Sequence, residues 1–184
     1  MTSEHYPALC LSTERTIIRK YVPEDIHVIL HLLKRNCERL KDHFPHTISM
    51  VTDENTALDF IFLRTTEWDQ IISFTYGIFT KDTNTYIGQI TIKKIEWDKK
   101  EAELGYFIDA QFEGQGIMSE VMEEIELQCL KLGFDKLYLR IIPYNIRSIK
   151  LADKFNYKFI QTLKENIKNP SGGMNDILLY MKSL

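Results

Sequence analysis

Apolar residues recur along this chain with two periods, and the changes between them divide it into elements. "RTIIRKY" (15–21) alternates and is rich in β-branched residues, which predicts a strand ended by Pro23. Beyond Pro23, with its acidic Glu24 and Asp25, the apolar residues Ile26, Ile29, Leu30, Leu33, Cys37 and Leu40 fall at helical spacing. This predicts one helix, or two broken near Asn36. Asp53 to Asp69 repeats the pattern through Ala57, Leu58, Ile61 and Phe62 and predicts a second helical unit. From Ile71 the period becomes two. "IISFTYGIFT", "TYIGQITIKKIEW" and "EAELGYFID", separated by the turns "KDTN" and "DKK", predict an antiparallel meander.

The period then returns to that of a helix. From Gly114 to Leu132 one stripe carries Met118, Val121, Met122, Ile125, Cys129 and Leu132, and Gly133 closes the segment. "KLYLRII" reads as a strand and "NIRSIKLADKF" as a short helix opened by Asn145. "YKFIQTLKENI" and "DILLYMKSL" read as a hairpin across "NPSGG". The whole predicts a mixed α/β domain spanning residues 1–184. A chain of 184 residues suffices for one core burying roughly 70% of its unfolded surface, and no repeat or compositional break divides it.

Charge and cysteine content narrow the function classes. A net charge of −3 and a pI near 6.0 argue against direct nucleic-acid binding, which needs clustered Lys and Arg. Cys10, Cys37 and Cys129 are odd in number and lack a CxxC, so neither a disulfide framework nor a metal site is expected; they read as apolar fillers in a reducing cytoplasm. No apolar run approaches the ~18 residues that span a bilayer, so a membrane is not an expected partner.

Gly114 and Gly116 stand one residue apart between a strand and a helix, in a chain with only 8 glycines. That arrangement points free N–H groups and a helix dipole at one place, which suits an anion such as phosphate, although two such glycines also serve to make a turn. A Walker loop would need Lys and Ser or Thr after the last glycine, where Ile117 and Met118 stand. A dinucleotide fingerprint would need a third glycine at Ser119.

What remains is a QxxGxG loop, Gln111-Phe112-Glu113-Gly114-Gln115-Gly116, preceded by "ELGYFID" and followed after one strand by "NIRSIKLADKFNYK". In this the chain resembles the GNAT superfamily of N-acetyltransferases, and through "NCERLKDHFP", "FEGQGIMSE" and the Asn-x-x-Ser pair its RimJ/RimL-like branch. Asn156 departs from the glycine usual there, and "KDHFP" lacks the tryptophans common in that loop. The resemblance implies a mostly antiparallel sheet of about seven strands, splayed at two parallel strands ("ELGYFI" and "KLYLRII"), with flanking helices. It implies acetyl-CoA as co-substrate, no metal, and binding by Gln111 to Gly116, by Ile108 and by Asn145 and Ser148. A bulge or break near Ile108 and Asp109 is expected to free an N–H for the thioester oxygen.

Direct attack by an amine on a thioester needs no nucleophilic cysteine. Glu103 is the candidate base acting through water, and Ser148 the group near the CoA sulfur; plain roles on a strand and a polar helix face are the alternatives. Glu38, His43, Phe44 and Tyr106 are expected on the acceptor side. An α-amine of pKa about 8 loses its proton far more readily than a lysine near 10.4. Together with the resemblance, which implies a protein N-terminus such as that of a ribosomal protein, this makes the expected acceptor an α-amine with a small first residue and basic residues after it. A small-molecule amine (polyamine or antibiotic) and a non-catalytic acyl-CoA sensor are the alternatives. A homodimer is compatible with the chain.

Overall fold

The computed structural model describes residues 6–168 and 172–184. In chain order it contains β1 (Cys10–Ser12), β2 (Thr16–Lys20), α1 (Ile26–Arg35), α2 (Cys37–Leu40), α3 (Pro45–Met50), α4 (Glu54–Asp69), β3 (Phe74–Thr80), β4 (Tyr86–Glu96), β5 (Glu101–Ile108), α5 (Ile117–Lys131), β6 (Lys136–Ile141), α6 (Ile146–Lys154), β7 (Lys158–Lys168) and β8 (Met174–Ser183). The strands form one eight-stranded sheet in the order β1-β2-β3-β4-β5-β6-β8-β7. Every neighbouring pair is antiparallel except β5 and β6.

The strand beyond the expected seven is the short edge β1, whose three residues pair with β2 from Cys10↔Arg19 to Ser12↔Ile17. Three residues are too few for an alternating pattern to register in the sequence. Asn36 does break the first helix: its side chain donates to the Leu32 carbonyl at 3.0 Å, competing with the backbone ladder. Asp53 caps α4 by accepting the Thr56 N–H at 2.9 Å, while the Thr56 hydroxyl accepts the Asp53 N–H at 2.9 Å. The inward face of α4 is Ala57, Phe60, Ile61 and Trp68; Leu58 and Phe62, expected inside, are exposed. Asn156, where the related pattern has glycine, adopts φ 63°, the left-handed region that asparagine tolerates best after glycine.

The two faces of the sheet serve two cores. Ile18, Tyr76, Ile90, Leu104 and Leu139 pack against the α5 stripe of Val121, Met122, Ile125 and Cys129. Phe79, Tyr86 and Phe107 pack against Ile29, Leu33, Phe60 and Ile61 of α1 and α4. All seven residues of β3 are buried, which is why that stretch reads as an almost continuous apolar run.

The feature that positions the site is the parallel pair. β5 and β6 are in register only from Glu101↔Lys136 to Leu104↔Leu139; beyond that β6 turns to follow β8, through Ile141↔Leu178. Gly105 to Ile108 therefore have one strand neighbour, β4, and their other edge lies open. Residues 169–171, within the expected "NPSGG" turn, lie outside the described residues.

Candidate active site

Strand β5 ends at Ile108, and a short 3₁₀ turn over Ala110–Phe112 leads to Gly114 and Gly116 at φ 73° and 80°. Gly116 is the N-cap of α5. An added Cβ at Gly114 would meet no heavy atom within 4 Å, so the hollow in front of the loop is clear of protein. The Ser119 N–H donates to the Gly116 carbonyl at 2.9 Å, closing the first turn, while the Ile117 and Met118 N–H groups at the tip have no carbonyl one turn behind them and with the helix dipole favour an anion there.

The expected break occurs at Asp109, but without a bulge: β4 and β5 stay in regular register from Lys93↔Glu103 to Gly88↔Ile108. The Asp109 N–H is not free either, since it donates to the Ile87 carbonyl at 2.7 Å. By strand alternation the main-chain groups of Tyr106 and Ile108 face the opposite, open edge. Divergence of β6, rather than a bulge, is what opens that edge. The Ile108 carbonyl already accepts from Arg39 Nη2 at 2.6 Å.

Two arginines of the first helices fasten the loop. Arg35 pairs with Asp109, which is 1% exposed, and Arg39 pairs with Glu113 at 2.7 Å. Glu113 also pairs with Arg147 of α6 at 3.0 Å, so its negative charge beside an anion site is offset. Arg15 reaches across from the start of β2 to Glu120, at 2.6 Å, and to the Gln115 carbonyl, at 2.9 Å. Arg15 and Arg35 were not singled out in the sequence. Their partners lie 105 and 74 residues away, and an isolated arginine carries no local signal.

A cavity of about 460 Å³ runs along the open edge, walled by the loop, by α5 and by α6. Ile108, Phe112, Glu113, Gly114, Gly116, Asn145 and Ser148 line it, as does Arg147 with Lys150 and Lys154 of the same helix. Gln111 and Gln115 do not line it: the Gln111 N–H donates to Asp109 Oδ1 at 3.1 Å, and Gln115 Nε2 donates to the Gln111 carbonyl at 2.8 Å. Their side of the loop shapes the turn.

A second cavity of about 230 Å³ lies on the other side of the opening and contains Glu103, Lys93, Lys94 and Arg140. His43, Phe44, Tyr106, Asn145 and Ser148 line both cavities and mark their junction. Phe44 packs edge-on to Phe107 at 5.2 Å, and burial pushes the His43 imidazole below its usual range. Glu38, expected on the acceptor side, lines neither cavity; 86% exposed, it pairs with Lys41 on the outward face of α2, opposite the buried Leu40.

At the junction the Tyr106 hydroxyl is buried, and no described group meets it in hydrogen-bond geometry. Burial pushes its phenol up to about 12, the nearby Ser148 hydroxyl pulling slightly the other way. Its place at the junction of the two cavities, beside Ser148, leaves it available to a bound group. The Asn145 side-chain oxygen accepts the Ser148 N–H at 3.1 Å, capping α6 and orienting the serine. The Cys129 thiol is buried in the α5 stripe and pushed well up by desolvation, which suits a filler rather than a nucleophile.

Glu103, the candidate base, is not alone. Its carboxylate lies 2.7 Å from Lys94 Nζ, 3.1 Å from Lys93 Nζ and 3.8 Å from Arg140 Nε. Both oxygens are thus engaged by cations. Among the described residues no cluster of His, Cys, Asp and Glu is arranged to hold a metal, and no helix is long and apolar enough to cross a membrane.

These features can be set beside known proteins. Residues 15–158 match the family described as acetyltransferase (GNAT) domain. The chain is 24% identical over 176 residues, 92% of its length, to a Bacillus licheniformis protein named uncharacterized N-acetyltransferase p20, of which 93% is covered. Among solved structures it is similar to RimL, a ribosomal L7/L12 α-N-protein acetyltransferase in complex with coenzyme A, with a TM-score of 0.88 and 19% identity over 95% of this chain and 98% of that one. It is also similar to Mycobacterium smegmatis RimJ in complex with CoA-disulfide, with a TM-score of 0.87 and 14% identity over 97% and 88% of the two chains.

Proposed function

The chain belongs to the GNAT acetyltransferase family, and from that premise we propose that it transfers acetyl from acetyl-CoA to the N-terminal α-amine of a protein in the cytoplasm, a ribosomal protein being the acceptor suggested by the neighbours. One observation carries this reading: two cavities of different lining meet at Tyr106 and Ser148, beside the open edge of a splayed parallel pair.

The residues present fit acetyl-CoA. The hollow at Gly114, the start of α5 and the cations Arg147, Lys150 and Lys154 suit its phosphates. The open edge of β5 suits an amide-bearing arm, with the Asn145 amide nitrogen as a further donor. In the reaction the amine nitrogen forms a bond to the thioester carbon, the C–S bond breaks, and the proton the nitrogen loses passes through water to restore the Tyr106 phenol once that group has protonated the sulfur. The N–H groups at Tyr106 and Ile108 hold the carbonyl oxygen as it gains charge. The Tyr106 hydroxyl, protonated at neutral pH, donates to the departing sulfur, with Ser148 beside it. Glu103 holds the cations of the acceptor cavity in place instead of taking the proton, and an α-amine of pKa about 8 reaches its neutral form by exchange with water.

Thiol release from acetyl-CoA, measured against N-terminal peptides, lysine peptides, polyamines and aminoglycosides, tests the proposal, with mass spectrometry locating the acetyl group. α-Amine products on peptides are expected. Modification confined to lysine side chains or to polyamines would overturn the N-terminal assignment.

A further inference from the structure

Lys93 and Lys94 are consecutive residues of β4, and consecutive side chains of a regular strand point to opposite faces of its sheet. Here they converge. The register between β4 and β5 slips between Lys93↔Glu103 and Glu96↔Glu101, so β4 carries one extra residue, and Lys94 takes φ 49°. This is a β-bulge, and it re-aims a side chain. Both ammonium groups thereby reach the same carboxylate, Lys93 at Glu103 Oε1 and Lys94 at Oε2. A left-handed lysine is uncommon, and here that conformation accompanies the convergence of the two cations.

Arg140 comes from β6 on the far side of the opening. Glu103 is buried, whereas Lys93 and Lys94 are 40% and 57% exposed and line the cavity. Among the described residues lining this cavity, three cations stand against one carboxylate. His43 adds no charge at neutral pH, because burial lowers its pKa. The next carboxylate along β5, Glu101, is held by Lys136 at 2.8 Å.

We propose that Lys93, Lys94 and Arg140 form an anion subsite in the acceptor cavity, so that the preferred acceptor carries a carboxylate or phosphate a few atoms from its amine. This rests on the assignment of that cavity to the acceptor. For a protein acceptor it means acidic side chains at the second and third positions, the reverse of the basic segment expected from the sequence, with which the mild acidity of the chain is compatible but which it does not select. Polycationic amines are disfavoured at this site by repulsion.

The test uses three peptides sharing one small N-terminal residue and carrying two Glu, two Gln or two Lys next, together with phosphoethanolamine and spermidine. The Glu peptide is expected to lead the Gln peptide in kcat/KM by about tenfold and the Lys peptide by more, and the lead is expected to shrink as salt rises. In Lys94→Glu the order of the Glu and Lys peptides should invert; in the milder Lys94→Gln the lead should narrow. Lys94 is exposed, so neither change disturbs the core. Equal rates on the three peptides, or a lead for the Lys peptide, would remove the subsite and leave the α-amine assignment standing. Acetylation of phosphoethanolamine with no α-amine product on any peptide would keep the subsite and remove the protein acceptor.

Discussion

At the level of single residues, Gly116, Glu103 and Tyr106 separate shape from chemistry. Gly116 sits at φ 80°, so Gly116→Val introduces left-handed strain of roughly 1–2 kcal/mol and puts a branched side chain at the mouth of the loop, its Cβ 3.5 Å from Arg15 Nη2. The folded protein should survive with a slightly lower Tm, and its thermal shift with acetyl-CoA should vanish. For Glu103→Gln the three neighbouring cations decide the outcome. A general base contributes about 100-fold or more, and its loss is recovered at high pH. If Glu103 anchors cations, the loss is smaller and the pH–rate profile runs parallel to that of the parent, which steady-state kinetics from pH 6 to 10 will show. Tyr106→Phe removes an orphaned buried hydroxyl, so stability should hold or rise while kcat falls by about tenfold to a hundredfold.

Among the elements, the contact that matters most is between the first helices and the loop after β5. Arg39 lies on α2, yet it bonds the Ile108 carbonyl, Glu113 and Asn36 at once, tying together the strand end, the loop and the helix break. Arg39→Ala should raise KM for acetyl-CoA by about tenfold with a smaller change in kcat, because the loop loses its fastening while the junction residues stay in place. Initial rates at varied acetyl-CoA measure this. The β4 bulge is the second element-level device. It turns two adjacent lysines onto one face, which an alternation reading of "ITIKKIEW" assigns to opposite faces.

Over the whole molecule, the buried tyrosines set the alkaline limit of stability. Burial raises the phenols of Tyr21, Tyr76, Tyr86, Tyr106 and Tyr157 above the usual value near 10. A group whose folded pKa is raised contributes its full stability below the unfolded pKa and loses it as pH rises towards the folded one. Stability should therefore be flat to about pH 10 and fall steeply above it, the Tyr106 part being lost between about 10 and about 12. Chemical denaturation from pH 8 to 11.5 reads this out. A ligand at 100 times its dissociation constant adds about 2.7 kcal/mol, so saturating acetyl-CoA should raise Tm throughout.

The sequence by itself determined most of the elements, though not β1 or α3, and the place of the glycine loop. Periodicity located the meander and the α5 stripe, because these depend on neighbours three or four residues apart at most, and left open whether the first helix breaks near Asn36. The two glycines marked the turn between β5 and α5 because positive φ is a local demand. The same local view hid Leu58 and Phe62, which have the spacing of a core face but whose side of α4 meets no other element. It also missed β1, too short to carry a period. Only the tertiary structure decided where β5 and β6 part, since that depends on β8 drawing β6 away. Only it brought Arg35, Arg39 and Arg15 to the loop across 74 to 105 residues. It also surrounded Glu103 with Lys93, Lys94 and Arg140: the charge a carboxylate feels is fixed by what lies within a few ångströms in space, and spacing along the chain does not encode that.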